Sequence, residues 1–193
     1  MKRPKVMISF RERAQGSGPY QSHLRIMNSR LKDKYDFVPL IIPSGHLGIF
    51  NINVIRSLVK QIRSADPDIV HFTGLELVGW YGMLACKISN HTTNVMAIHG
   101  SVDEAIEFNK NKIKRYIMSF LEYETLKNIS NAYGVSDYVG SWKKIKKNCE
   151  NYFGTIYNLY GGTSIETNSF RNEFNLSKND IIIVSTGRII KEK

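Results

Sequence analysis

Apolar residues gather along the chain in two alternating ways. Short runs of four to six fall at residues 5–9, 37–42, 68–72, 95–98, 132–136, 155–158 and 181–186. Several end in a turn built from Gly, Pro, Ser or His, which is how a strand buried on both faces of a sheet reads. Between them lie longer stretches whose apolar positions recur three and four apart, the spacing of one helix face. These predict helices over residues 20–31, 51–64, 79–88, 107–129 and 137–149, with a short one at 170–174. The expected apolar stripes are Leu24, Met27 and Leu31; Ile55, Leu58, Val59 and Ile62; Ile113, Ile117, Phe120 and Leu121; and Val139, Trp142, Ile145 and Cys149. Strand and helix alternating in this way imply parallel strands joined by right-handed crossovers. The fold class is therefore α/β, a Rossmann-like doubly wound parallel sheet.

In such a sheet ligands bind beyond the carboxyl ends of the strands. Three places end there with polar groups. The run at 95–98 stops at His99-Gly100-Ser101. The run at 68–72 brings His71 to its last turn and is followed by Thr73-Gly74. The first run leads into Gly16-Ser17-Gly18-Pro19, where Ser17 is a fitting helix cap and Pro19 suits the first turn. Strand, glycine turn and helix N-terminus together form an anion site, because free N–H groups and the helix dipole point at the ligand. The dinucleotide fingerprint is incomplete: Gln21 stands at the third glycine position, and the second strand ends in Pro43-Ser44 without an acid for a ribose. This argues against a nicotinamide dehydrogenase. Asp66-Pro67-Asp68 spells a metal-type D-x-D, but it precedes its strand, at the end away from the cleft, and reads as a turn.

Composition narrows the partners. The chain has 193 residues, 42% of them hydrophobic, and a net charge of +10. Cys86 and Cys149 have no metal spacing, and two cysteines make no disulfide scaffold. No signal peptide or membrane span is legible, so a cytoplasmic protein is expected. The positive charge fits either solvated lysine faces or an anionic partner. Lys143, Lys144, Lys146 and Lys147 flank the last helical stripe as a candidate contact for an anionic membrane surface. Aromatic and basic residues are not interleaved as base stacking needs, so no nucleic acid is expected. The last strand exits into Gly187-Arg188, five residues before Lys193. An Arg fork and a Lys point charge there suit a diphosphate.

The chain resembles a retaining glycosyltransferase of the GT-B fold, in the large family-four group. The resemblance runs through Gly16-Ser17-Gly18, Pro67-Asp68-Ile69-Val70-His71-Phe72, His99-Gly100, Gly134-Val135-Ser136-Asp137-Tyr138, Tyr157-Asn158, and Gly187-Arg188 through Lys193. It implies that residues 1–175 form the N-terminal acceptor-binding domain and 176–193 open a nucleotide-sugar domain whose remainder is missing. It implies a catalytic role for His99 and donor phosphate binding by Gly16, Ser17, Gly18, Arg188 and Lys193. Cleft candidates are His71, Thr73, Gly100, Ser101, Ser136 and Asn158. The partners implied are a nucleotide sugar and a lipid-linked or saccharide acceptor, with no cofactor or metal, and with contact at the inner membrane face. The family's Pro-Asn-Gly turn is here Asn158-Leu159-Tyr160-Gly161, and its acidic donor-binding pair lies past Lys193. This chain alone is accordingly expected to be inactive as a transferase. A non-catalytic sugar- or nucleotide-binding module and a sugar-nucleotide epimerase are the alternatives of the same fold.

Overall fold

The computed structural model describes residues 2–43, 48–91, 93–104, 111–159 and 169–183. The chain divides into two compact units, Met1–Leu159 and Tyr160–Lys193. In the first, strands and helices alternate as β1 (Lys5–Arg11), α1 (Gly18–Asn28), β2 (Asp36–Ile42), α2 (Ile52–Ala65), β3 (Ile69–Thr73), α3 (Leu77–Ile88), β4 (Asn94–Ile98), α4 (Lys112–Asn128), β5 (Asn131–Gly134), α5 (Asp137–Gly140), α6 (Lys143–Asn148) and β6 (Asn151–Thr155). Short 3-10 turns occupy Arg30–Asp33 and Val102–Glu104. The six strands are parallel, in the order β2-β1-β3-β4-β5-β6. The chain steps from β1 to one side for β2, then to the other side for β3. This reversal between β1 and β3 is the place where an open α/β sheet leaves a crevice. The expected Rossmann-like sheet is present.

Where the stripes were strong, they were right. In α2 the Asn51 side chain accepts from the N–H of Asn53 at 3.2 Å and Val54 at 3.3 Å, closing the helix start. Val54, Ile55, Leu58, Val59 and Ile62 are all buried, and Asp66 ends the helix with left-handed φ of 45°. Asp68 accepts the Lys5 backbone N–H at 2.6 Å, so Asp66-Pro67-Asp68 is the turn its position implied. The core runs from these side chains through Met7, Leu40, Val70, Phe72 and Met96 on the strands.

Other helices depart from expectation. In α1 the buried residues are Ser22 and His23, while Leu24 is 37% exposed, and Leu31, in the 3-10 turn past the helix end, is 41% exposed. Hydrogen bonding overrides apolar spacing there: His23 finds the Ser9 carbonyl and Ser22 finds Asn158. In α4 Leu121 is buried with Met118, Glu122 and Leu126, but Ile113 and Phe120 face outward. The segment predicted helical over 137–149 breaks at Ser141-Trp142 into α5 and α6, though Val139, Ile145 and Cys149 are buried as expected. β6 begins four residues before its predicted start, leaving Ile156 and Tyr157 exposed beyond it. Pro39 lies in the edge strand β2. The other edge, β6, carries a register shift against β5, with Gly154 at φ of 82°.

In the second unit, α7 (Ser169–Glu173) is followed by a turn in which Asp180 accepts the Ser177 N–H at 2.6 Å. Residues 181–183 are not in a strand, and 184–193 lie outside the described residues. The expected second-domain strand is thus absent from its described part.

Candidate functional site

A cleft of about 340 Å³ opens at the carboxyl ends of β1, β3 and β4. Its walls come from three connections. The β1–α1 turn gives Arg11, Ser17 and Tyr20; the β3–α3 turn gives Thr73, Gly74 and Glu76; the β4 exit gives His99 and Gly100. The β3–α3 wall depends on close backbone packing. A Cβ on Gly79 would stand 2.0 Å from the Gly74 carbonyl oxygen, so only glycine lets α3 settle there.

The first wall is a local turn. Ser17 lies just before α1, and its Oγ accepts the Tyr20 N–H at 3.4 Å. The helix N-terminus therefore faces the cleft with its positive dipole end. Added side-chain carbons at Gly16 or Gly18 would meet nothing within 4 Å, so open space adjoins this turn.

Two histidines sit behind the cleft and a third, His99, stands at its wall. The His23 ring, on α1, lies 4.7 Å from the His71 ring on β3. His71 Nε2 is 3.0 Å from the Tyr133 hydroxyl, and those rings are parallel at 5.8 Å. His23 Nδ1 lies 2.7 Å from the Ser9 carbonyl, which can only accept, so Nδ1 carries the proton. Burial pushes His23 down to about 4 and His71 to about 3, and neighbouring imidazoles add to both shifts. Burial lowers His99 as well. All three are neutral near pH 7. The Nε2 atoms of His23 and His99 are enclosed and have no hydrogen-bond partner among the described residues. His99 alone of the three lines the cleft.

The loop carrying His99 is fastened from below by charge. Glu122 on α4 is 2% exposed. Its carboxylate accepts the Val102 N–H at 2.7 Å, the Ser101 Oγ–H at 2.8 Å and Lys144 Nζ at 2.8 Å. Lys144 also donates to the Ser101 hydroxyl and, at 2.8 Å, to Asp103. Asp103 is held below the usual carboxylate range, chiefly by that Lys144 bond. Arg115 approaches it at 3.6 Å.

Several expected site residues take other roles. Thr73, Gly100, His99 and Ser17 do line the cleft. His71 lies behind it, buried in the histidine cluster. Ser101 turns to Glu122. Ser136 caps α5 by accepting the Val139 N–H at 3.3 Å. Asn158 accepts from Ser22 at 2.8 Å. Small polar residues at strand ends satisfy nearby backbone and side-chain groups; Ser101 is buried in doing so, while Asn158 stays exposed. Lys144 leaves the proposed basic face for the network under His99, while Lys143, Lys146 and Lys147 stay exposed. Arg188 and Lys193 lie outside the described residues. Sequence reasoning missed His23, Tyr133 and Glu122. Their partners lie 14 to 62 positions away, and no local pattern marks them. Among the described residues, no group of three or more His, Cys, Asp or Glu is placed to hold a metal.

Comparison with known proteins bears on this geometry. The family described as Glycosyl transferase 4-like matches residues 21–132, more than half the chain. No curated protein matches at a significant level. Among solved structures, the chain is similar to the S. aureus MnaA–UDP co-structure at 10% identity and a TM-score of 0.58, over 89% of this chain and 51% of that one. It is also similar to a structure of UDP-N-acetylglucosamine 2-epimerase at 14% identity and a TM-score of 0.54, over 79% of this chain and 48% of that one. The chain spans about half the length of these structures. At such identities the likeness is one of fold.

Proposed function

Because the chain belongs to the glycosyl transferase 4-like family, we propose that its cleft is the acceptor side of a retaining glycosyltransferase. The complete enzyme moves a sugar from a nucleotide-sugar donor to a hydroxyl, in the synthesis of bacterial surface polysaccharide or glycolipid. In this reading residues 1–175 are the acceptor domain and 176–193 begin the donor domain. Arg188 and Lys193 neutralise the departing diphosphate. The acceptor is a saccharide or is lipid-linked.

One observation carries the reading. His99, whose pKa burial lowers, lines a cleft that also holds a helix N-terminus. A neutral imidazole offers one donor and one acceptor, which suits hydroxyl groups. It does not compete as a cation for the diphosphate. The α1 N-terminus is suited to the charge that gathers on the leaving group, since oriented N–H groups stabilise developing negative charge without reorganising. Ser17 sets that terminus, and Gly16 and Gly18 leave it approachable.

The test compares sugar transfer by the gene's complete product with its His99→Ala form, using labelled nucleotide sugars and lipid or oligosaccharide acceptors. Loss of about a hundredfold or more in turnover, with unchanged unfolding, is expected for a residue acting on the reacting groups. Equal turnover in both forms sinks the assignment of His99. Release of an altered nucleotide sugar with no acceptor present points instead to an epimerase.

A further inference from the structure

We propose that His23 is a positioning residue for His99: its Nε2 lone pair holds the His99 ring in the tautomer that carries its proton on Nε2 and leaves a bare Nδ1 to the cleft. What this does for catalysis rests on the proposed role of His99; the arrangement itself does not.

The sheet brings these rings together. Thr73 on β3 pairs with Ala97 on β4, and Ala97 pairs with Tyr133 on β5. Side chains alternate along a strand, so His71, Thr73, Val95, Ala97 and Tyr133 share one face. His99 continues that series two residues past Ala97. On β1, Ile8 pairs with His71, which puts Phe10 on the same face. His23 comes down onto this face from α1, with its ring 4.7 Å from that of His71 and 6.0 Å from that of Phe10.

Hydrogen bonds then decide where each proton sits. His23 is 1% exposed. Its Nδ1 donates to the Ser9 carbonyl, so Nε2 of the neutral ring is a bare lone pair. His71 Nε2 and the Tyr133 hydroxyl hold each other at 3.0 Å. His23 Nε2 is enclosed and meets no donor among the described residues. A buried acceptor with nothing to accept is unfavourable, and the low dielectric around it strengthens its pull on an N–H. The imidazole whose charge is felt at both His23 and His71 is that of His99. His99 Nε2 is enclosed as well, whereas its Nδ1 is not among the enclosed atoms that lack a partner. A proton on His99 Nε2 answers the His23 lone pair. A proton on Nδ1 would leave two bare lone pairs together inside the protein. Of the two capacities of the His99 ring, the donor is thus used within the protein, and the acceptor is left for a substrate hydroxyl.

Two replacements separate this role from packing. Asn keeps an N–H near the place of Nδ1 and has nothing at Nε2. Gln puts an amide oxygen near the place of Nε2 and gives up the bond to Ser9. Nitrogen-15 NMR of the histidine-labelled 193-residue chain, at about pH 7.5 where the rings are neutral, reads which nitrogen of each ring carries the proton. The His99 signals are those lost in His99→Gln. Wild type is expected to carry the His99 proton on Nε2. His23→Asn should move the ratio of the two tautomers toward Nδ1–H by about fivefold, the effect of one ordinary neutral hydrogen bond. His23→Gln should keep most of the wild-type ratio. A residue needed only for packing and for the Ser9 bond gives the reverse order. The proposal is overturned if wild-type His99 carries its proton on Nδ1, or if His23→Asn, folded by far-ultraviolet dichroism, leaves the ratio unchanged. It is equally overturned if His23→Gln moves the ratio by fivefold, a result that decides even where the Asn variant does not fold. Unchanged turnover in His99→Ala beside the expected tautomer shifts removes the transfer reading and leaves this assignment standing.

Discussion

Two loops face each other across the cleft, and they are built on opposite plans. The β1–α1 turn is held by its own backbone: Ala14 N–H donates to Arg11 at 3.2 Å, Ser17 N–H to Ala14 at 2.8 Å, and Gln21 N–H to Ser17 at 3.0 Å. These three partners lie within four residues, and a distant backbone bond of the turn runs from the Glu12 N–H to the Ile42 carbonyl at 3.0 Å. The loop after β4 is held by a buried carboxylate about 20 residues away and a lysine 43 residues from Ser101. The first loop is cheap to form and cheap to disturb. The second exists only once α4 and α6 have packed, and removing one member leaves others buried without partners. Under the proposed function, a local turn would serve as the phosphate cradle. A cross-braced loop suits a residue such as His99 whose position must not drift.

That contrast predicts very unequal sensitivities. Glu122→Ala strands the buried Val102 N–H and leaves Lys144 only Asp103 and Ser101, and should cost about 3 kcal/mol by urea unfolding. Its Val102 amide should also lose protection from hydrogen exchange. A cost no larger than that of a cap substitution on the opposite loop would erase the contrast.

Next in size is acid. The histidine cluster joins the two sides, with His23 on α1 beside one loop and His71 on β3 behind the other. Both folded pKa values lie below the unfolded 6.5, so the folded state binds fewer protons. Stability is full above about pH 6.5 and falls as pH drops toward 4, by roughly 3 kcal/mol from His71 alone. Unfolding midpoints measured from pH 7.5 to 4 check this. A flat profile would mean that these imidazoles are not buried neutral.

Gly79→Ala probes the third wall. The new methyl meets the Gly74 carbonyl, and α3 must shift at a cost of about 1–3 kcal/mol. The smallest change is Ser17→Ala, about 1 kcal/mol from the lost cap. Its effect should be confined to exchange in the first turn of α1. Spread of that effect to the β4 loop would show the two loops to be one unit.

The same division explains what was legible beforehand. α2 could be read residue by residue, because its cap, its apolar stripe and its terminator are all local. The sheet followed from the alternation of strand and helix, and His99, Thr73 and Gly100 from the rule that such sheets bind at their carboxyl ends. The buried polar pairs were not legible. Glu122 looks like any surface glutamate of a helix until Ser101 and Lys144 arrive. His23 looks like a polar interruption in a leucine stripe until the Ser9 carbonyl captures it. In α4 the periodicity was real but ambiguous, since two apolar faces share one helix and spacing alone does not say which packs inward.

The edges of the sheet bear on how the protein behaves when concentrated. A six-stranded parallel sheet has two open borders, and each is a template onto which another chain can add a strand. Here one border carries Pro39, which has no N–H to offer. The other is kinked at Gly154, where the register slips. A neighbour that tries to lengthen the sheet finds a missing donor on one side and a broken repeat on the other. Fibrous growth by strand addition is thus discouraged at both ends, and crowded preparations should cloud, if at all, through side-chain contacts that dilution reverses.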